Sequence, residues 1–347
     1  MRYVLCFIYA IFIPFYVFTY DYDVFFYETF QEEETLLKKY ISDDINAGFT
    51  SKTIQEYNSD IPAKIISVRT QSLIPDEWNN SIDVIITRST GYDHLERYLK
   101  KTSSTIKCGY LPLYCNRSVA EQATMLWFAL LRKLPKQQKQ FYTFSRDGLT
   151  GTQCLNKNLL VVGVGKIGYE ICRIGKGLNM NVYGVDIVKD HSDIDYTDIK
   201  QSIKEADIIV CAMNLTEDNY GYFNYELLKN AKRGAVFINI SRGEISPSSF
   251  LLKLIEENHL GGVALDVFIE EPYLSTALRN HDIINKEEVQ ATLALSKYDN
   301  VILTPHNAFN THEATDNKAK QTIMQLDFYI QNNKLLWPIP VLGLYYP

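Results

Sequence analysis

Cysteine is sparse and unpatterned in this 347-residue chain: Cys6, Cys108, Cys115, Cys154, Cys172 and Cys211 include no C-x-x-C pair and no metal-ligand spacing. That argues against a disulfide framework and a thiolate metal centre, and points to a reduced, cytoplasmic compartment. Basic surplus is also missing. The formal net charge of -6 gives no general attraction to nucleic acid or anionic lipid. There is no internal repeat and no low-complexity tract. Charged residues are absent from Tyr3 to Tyr20, with Arg2 before them, a pattern like a secretory apolar region or a short anchor. Yet the run is short for a helical span, Pro14 interrupts it, and no small-x-small cleavage site follows. The alternative makes Phe15 to Thr19 the first buried strand and residues 1–15 an apolar extension. No methionine lies between Met1 and Met125, so a later start would use another codon, Val17 for example. No membrane association is expected unless that segment is a real anchor.

What is present is a core. The composition is 46% hydrophobic and 22% charged, as in a soluble globular protein of one large or two ordinary domains. Apolar runs at Tyr16 to Thr19, Lys64 to Val68, Ile82 to Thr87 and Thr105 to Cys108 predict strands. Helical stretches at Glu32 to Tyr40 and Ser51 to Tyr57 separate them, and the alternation implies a parallel sheet covered on both faces. The aromatics Phe25, Phe26, Tyr27 and Phe30 read as core and interface. A long helix is predicted from Ser118 to Leu134, with Ser118 and Glu121 as a capping box and Pro135 with Lys136 to Gln140 as its stop. Six more strands follow, at Leu159 to Val162, Asn181 to Val185, Asp207 to Cys211, Ala235 to Asn239, Gly262 to Leu265 and Val301 to Leu303. A last helix runs from about Glu313 to Asn332. Six short apolar strands around a glycine turn suit a dinucleotide-binding sheet.

The turn is Gly163-x-Gly165-x-x-Gly168, after an apolar strand and at the start of a helix, the context this motif requires. Gly163 permits the tight turn, Gly165 lets backbone approach a pyrophosphate, and Gly168 allows close helix–strand packing above free helix N–H groups. Asp186 ends the next strand, 18 residues beyond Gly168. A carboxylate there can hold both ribose hydroxyls and repel a 2′-phosphate, so NAD is favoured over NADP.

Three further polar residues follow three successive strands. Arg242, in Asn239-Ile240-Ser241-Arg242-Gly243, offers a planar fork to carboxylate and ketone oxygens together. Glu271 follows Leu265-Asp266-Val267-Phe268; its neighbour Glu270 is the competing choice, and the spacing before Pro272 favours Glu271. His306, in Thr304-Pro305-His306, can donate a proton to a carbonyl oxygen as hydride arrives, and a carboxylate partner favours its imidazolium. Packing requires none of this. His94, His191, His259, His281 and His312 read as surface or structural.

With these residues in this order, the chain resembles the D-isomer-specific 2-hydroxyacid dehydrogenases from about Tyr16 to near its C-terminus. Thr304 to Phe309 with Thr311-His312, and the long stretch from Pro272 to Asn300, look like the D-lactate dehydrogenase branch. The resemblance implies an α/β fold of two parallel-sheet domains, Rossmann-like and flavodoxin-like, with the active site in the cleft between them. Residues 16–117 plus 309–347 would form a discontinuous substrate domain and residues 118–308 the NAD-binding domain, in a homodimer built on the latter. Arg242, Glu271 and His306 carry over as the catalytic set. Ser89, Thr90 and Gly91 match a loop whose backbone N–H groups bind the substrate carboxylate, and Tyr114 matches a residue lining that pocket. Lys166, Ile167, Asp186, Met213, Asn214, Asn219, Ile240 and Asp266, beside the three glycines, match positions contacting NAD. Asn214 stands where many members carry proline. The expected activity is reduction of a small 2-oxo acid, pyruvate to D-lactate. The rival readings are a bulkier 2-oxo acid and an NAD(H)-sensing binding protein on the same fold.

Overall fold

Strands buried on both faces need apolar residues at every position rather than at alternate ones, and this chain supplies them in two sets. A computed structural model describes residues 20–57, 60–281 and 284–340. The first set comprises β1 (Val24–Phe26), α1 (Gln31–Tyr40), β2 (Ala47–Phe49), α2 (Ile54–Tyr57), β3 (Ile65–Val68), β4 (Val84–Thr87), α3 (Asp93–Thr102) and β5 (Lys107–Gly109). Its strands form a five-stranded parallel sheet in the order β2-β1-β3-β4-β5. Two helices follow, α4 (Asn116–Leu131) and α5 (Leu134–Gln140).

The second set begins with β6 (Asn158–Val162), α6 (Lys166–Gly177), β7 (Asn181–Val185), β8 (Asp195–Tyr196), α7 (Ile199–Ser202), β9 (Ile208–Cys211) and α8 (Tyr225–Lys229). It continues through β10 (Val236–Asn239), α9 (Ser248–Glu256), β11 (Gly262–Leu265), α10 (Glu271–Asn280), α11 (Glu287–Leu295) and β12 (Val301–Leu303). The seven strands are parallel in the order β12-β11-β10-β9-β6-β7-β8. Strand order reverses at β1/β3 in one sheet and at β6 in the other, and ligands of open α/β sheets bind at such switch points. The architecture of two parallel-sheet α/β units is the expected one.

The last helix, α12 (His312–Asn332), leaves the second sheet and packs Ala319, Ile323 and Leu326 onto Phe26 and Ile86 of the first sheet and Leu37 of α1. The chain then runs antiparallel beside β5, with Ile339 N–H donating to Cys108 O at 2.9 Å. A charge cluster with no measurable exposure locks this return. Arg88, just after β4, donates from Nε to Glu33 of α1 at 2.9 Å, and Lys318 Nζ of α12 lies 2.8 Å from the same oxygen. Arg88 also donates to Ser67 Oγ and to Tyr27 O. Burial pushes the Glu33 carboxyl up, but Arg88 and Lys318 outweigh it and hold it at about 2. Burial pushes Lys318 down to about 7.

Several sequence expectations need correction. Tyr16 to Thr19 lies outside the described residues, as does the 1–15 extension, and β1 (Val24–Phe26) holds the place beside β2 and β3 where the first strand was expected. Ser118 does not cap α4: Cys115 is the N-cap residue, and the Ser118 hydroxyl donates to Cys115 O and Phe309 O. Glu121 instead pairs with Arg117 one turn earlier. Pro135 opens α5 instead of terminating a helix, since proline at a first-turn position forfeits no intrahelical bond. Strands β2 and β8 were not anticipated. Among the described residues, no helix is long and apolar enough to cross a membrane.

Glu33→Gln leaves Arg88 buried without its counter-charge and is expected to cost about 3–5 kcal/mol of unfolding free energy in denaturant titration. Because the folded carboxyl sits at about 2 and its ordinary value is 4.5, that contribution is full above 4.5 and fades as pH falls towards 2. A loss below about 1 kcal/mol at neutral pH would show that the cluster does not hold the C-terminal helix in place.

Candidate active site

The three sheet-edge residues singled out above do converge. Strands β10, β11 and β12 are adjacent and parallel, so the segments after them leave from one edge. Asn239, the last residue of β10, fixes the first segment: its Nδ2 donates to Arg242 O at 2.8 Å and its Oδ1 accepts from Ser241 N–H at 2.9 Å. Arg242 is thereby aimed across the cleft, where Nε donates to Asp93 of α3 at 2.8 Å and Nη1 to Ser241 O at 2.9 Å. Its Nη2 faces Gly91, where a Cβ would fall 1.5 Å away. Only glycine leaves the guanidinium room at that position.

Glu271 and His306 meet directly. His306 Nδ1 lies 2.9 and 3.0 Å from the two Glu271 oxygens, a pairing that puts the Nδ1 proton on the carboxylate side and leaves Nε2 for a ligand. Both loops use left-handed backbone, at Glu270 (φ 57°) and His306 (φ 51°), which costs about 1–2 kcal/mol per non-glycine residue. Asp266 pins the second. Its fully buried carboxylate accepts from Thr304 Oγ1 at 2.5 Å, Asn307 N–H at 2.9 Å and Ala308 N–H at 2.8 Å. Gln71, from the loop after β3, donates to Glu271 Oε1 at 3.3 Å. Burial pushes the Glu271 carboxyl up, while His306, Gln71 and Arg242 together bring it below its ordinary value. Glu270 turns away to pair with Lys286 at 2.5 Å.

Two cavities share His306 and Thr70. One, of about 590 Å³, holds Arg242, Glu271, Asp93 and His94; the other, of about 680 Å³, holds Arg69, Lys52 and Phe309. His94 was expected at the surface or in a structural role. Both its ring nitrogens are buried on the first cavity's wall without a hydrogen-bond partner among the described residues, and burial pushes its pKa down to about 4. Asp93 stays charged because Arg242 outweighs the upward push of burial, leaving it at about 2. The Ser89 and Thr90 hydroxyls are spent inside the fold, on Thr87 with Gly91 O and on Leu111 O. Tyr114 is buried behind Phe309, 6.3 Å between ring centroids, and is on the wall of neither cavity.

The glycine turn lies at the β6 switch point. Gly163 has φ +91°, and a Cβ there would strike Ala212 and Met213 backbone at 2.6 Å. At Gly168 a Cβ would sit 1.9 Å from Gly163 O, whereas Gly165 has nothing within 4 Å. A close-packed turn with one open side, capped by the N-terminal residues Lys166 and Ile167 of α6, fits a pyrophosphate. Asp186 stands at the end of β7 with its carboxylate drawn towards the turn, accepting from Val164 N–H at 2.5 Å and Val188 N–H at 3.0 Å. Met213 and Asn214 follow β9, where Asn219 Nδ2 donates to Asn214 O at 2.7 Å, and Ile240 is buried at the end of β10. These placements suit a dinucleotide laid along the sheet edge. Asp266 differs from the rest in committing both oxygens to the His306 loop.

Sequence reasoning missed the residues that reach over from the first sheet. Asp93, beside the singled-out Gly91, carries no motif of its own. Glu28, in left-handed backbone (φ 56°) just after β1, accepts from the N–H groups of Arg69, Gln71 and Ser72 at 2.9–3.1 Å and so shapes the loop that delivers Gln71.

Known proteins share this chain's sequence and fold. The family described as D-isomer specific 2-hydroxyacid dehydrogenase, NAD binding domain, matches residues 124–308. An aromatic 2-oxoacid reductase of Clostridium sporogenes is 31% identical over 252 residues, 71% of this chain and 75% of that protein. A D-lactate dehydrogenase of Escherichia coli is 28% identical over 253 residues, 71% and 76% respectively. Among solved structures, D-lactate dehydrogenase from Aquifex aeolicus, complexed with NAD and lactic acid, superposes with a TM-score of 0.78 at 25% identity, covering 89% of this chain and 96% of that one. The structure of D-2-hydroxyisocaproate dehydrogenase shares the fold, with a TM-score of 0.76 at 21% identity over 91% and 99%. By its NAD-binding domain, its two parallel sheets and its sequence, the chain is an oxidoreductase that belongs to the D-isomer-specific 2-hydroxyacid dehydrogenase family.

Proposed function

We propose that this enzyme reduces a 2-oxo acid to the D-2-hydroxy acid, with Arg242, Glu271 and His306 as its catalytic residues. The observation that carries the reading is the His306–Glu271 contact opening on the same cavity as the Asp93-held Arg242. Arg242 and the backbone of Ser89 to Gly91 bind the carboxylate. Asp93 acts as a positioning residue by fixing the guanidinium plane. The reduced nicotinamide, when bound, supplies hydride to C2. His306 Nε2 gives its proton to the carbonyl oxygen, so hydride and proton together yield the hydroxyl compound. Glu271 holds the imidazole in the donating tautomer and stabilises its charged form. A cleft closed between the sheets excludes water and fixes the approach.

Pyruvate is the smallest 2-oxo acid that satisfies these anchors and gives a chiral product, D-lactate. A second reading, a larger 2-oxo acid, is favoured by the 680 Å³ of space beyond His306. The rest of the organisation goes with this proposal: residues 16–117 plus 309–347 as substrate domain and 118–308 as nucleotide domain. A homodimer is supported by the exposed aromatic cluster Phe141, Tyr142 and Phe144 after α5. A cytoplasmic setting is supported by free thiols at Cys108, Cys115, Cys154, Cys172 and Cys211.

The test is NADH oxidation with pyruvate and larger 2-oxo acids, followed by chiral assay of the product; an L product, or turnover of none by a protein that binds NADH, would overturn it. His306→Ala is expected to keep NADH binding and lose roughly 10²- to 10⁴-fold in kcat, and a near-normal rate would remove His306 from the proton step. With Glu271→Gln, the carboxylate that orients the imidazole through Nδ1 is gone, so kcat should fall while NADH binding is kept; an unchanged kcat would reassign the role. Asp186→Ser should erode the preference for NADH over NADPH in kcat/KM, and an unchanged ratio would mean that another group sets it.

A further inference from the structure

Once Arg242 holds the carboxylate in one cavity and His306 faces the carbonyl, the substituent on C2 has the second cavity to enter. That space lies where β1 and β3 end, at the switch point of the first sheet, the place where such a sheet is built to receive a ligand. Pyruvate would put only a methyl group there. An apolar substituent would call for apolar walls, yet this cavity is rich in charge.

Its lining carries Lys52, Arg69 and Arg279 against Glu28, Glu32 and Glu56, but these charges are not all matched in pairs. Arg69, directly after β3, lays its guanidinium over the Phe309 ring, 4.5 Å from the centroid. Among the described residues it has no carboxylate within ion-pair distance and no acceptor for its side-chain N–H groups. Lys52, exposed at the rim, likewise has no ion pair among the described residues. Of the four carboxylates nearby, three are committed elsewhere. Glu28 is taken by three backbone N–H groups, Glu33 by Arg88 and Lys318, and Glu56 by Thr53 and Arg279. Glu32 is exposed in the first turn of α1. A guanidinium stacked on an aromatic face has its plane fixed and its donor edge free, the arrangement that receives a carboxylate through paired N–H bonds.

From this we infer that the enzyme's preferred substrate is a short 2-oxo dicarboxylate, whose distal carboxylate is bound by Arg69 with Lys52 at the rim. The inference rests on the dehydrogenase reading above and names the substrate class of that same site. Arg242 and Arg69 then hold the two ends of one molecule, with the reacting carbonyl between them at His306. Pyruvate keeps the shared anchors and is reduced with lower kcat/KM.

The experiment measures kcat/KM of the full-length protein with NADH for pyruvate, 2-oxoglutarate and its uncharged length analogue 2-oxohexanoate. The expected result is 2-oxoglutarate above 2-oxohexanoate by at least about tenfold, which corresponds to about 1.4 kcal/mol. Arg69→Leu should bring that ratio to near unity or invert it, and Arg69→Lys should retain part of it. Should Arg69→Leu fail to fold, Lys52→Glu at the exposed rim should lower the rate with 2-oxoglutarate more than with 2-oxohexanoate. Reduction of pyruvate together with a preference for 2-oxohexanoate, or a ratio insensitive to both positions, would overturn the distal-anion assignment and leave the dehydrogenase reading standing. Absence of turnover with all three acids by a protein that binds NADH would overturn both.

Discussion

The contact between the His306 imidazole and the Glu271 carboxylate is what the site depends on. It exists because β11 and β12 run side by side and end together, so two loops of unrelated sequence emerge within reach of each other. Neither loop would hold its place alone, since each contains a non-glycine residue in left-handed backbone. Asp266 supplies the constraint for one by gathering Thr304, Asn307 and Ala308 around a buried carboxylate. Burial pushes that carboxyl above its ordinary value, and His306, Thr304 and the two N–H groups hold the rise in check. The His306–Glu271 contact is thus kept in place by a buried carboxylate that does not itself touch the imidazole.

The second constraint is topological. Each sheet reverses its strand order once, and the two reversals differ in what their loops offer. At β6 the turn is narrow, made of backbone, and suited to phosphates. At β1 and β3 the loops carry side chains: Glu28 anchors, Gln71 reaches Glu271, and Arg69 faces the cavity. The buried Glu33–Arg88–Lys318 cluster ties the C-terminal helix to the first sheet. The chain therefore crosses between sheets twice, and the cleft between them has a wall from each.

Much of this was legible in the sequence because it is local. The bounds of β7, β11 and β12 follow from apolar runs, and Gly163, Arg242, Glu271 and His306 each follow a strand whose end is readable. The spacing before Pro272 singles out Glu271 over Glu270; in the structure Glu271 lies against His306 and Glu270 pairs with Lys286. What escaped is tertiary. Asp93 meets Arg242 across 149 residues, and Gln71 meets Glu271 across 200; no spacing rule reaches that far. Strand β2 is Ala-Gly-Phe, too short and too poor in branched residues to signal itself. The cap assigned to Ser118 failed because the helix begins earlier, at Asn116, which turns Ser118 inward to Phe309 O.

Nδ1 of His306 faces Glu271, which leaves Nε2 as the nitrogen proposed to deliver the proton. The ¹⁵N chemical shifts of both ring nitrogens in the neutral imidazole, assigned by difference with His306→Gln, read the tautomer directly. A proton on Nδ1 and a bare Nε2 are predicted. The opposite tautomer, with the proton on Nε2 and Nδ1 bare, would contradict this assignment.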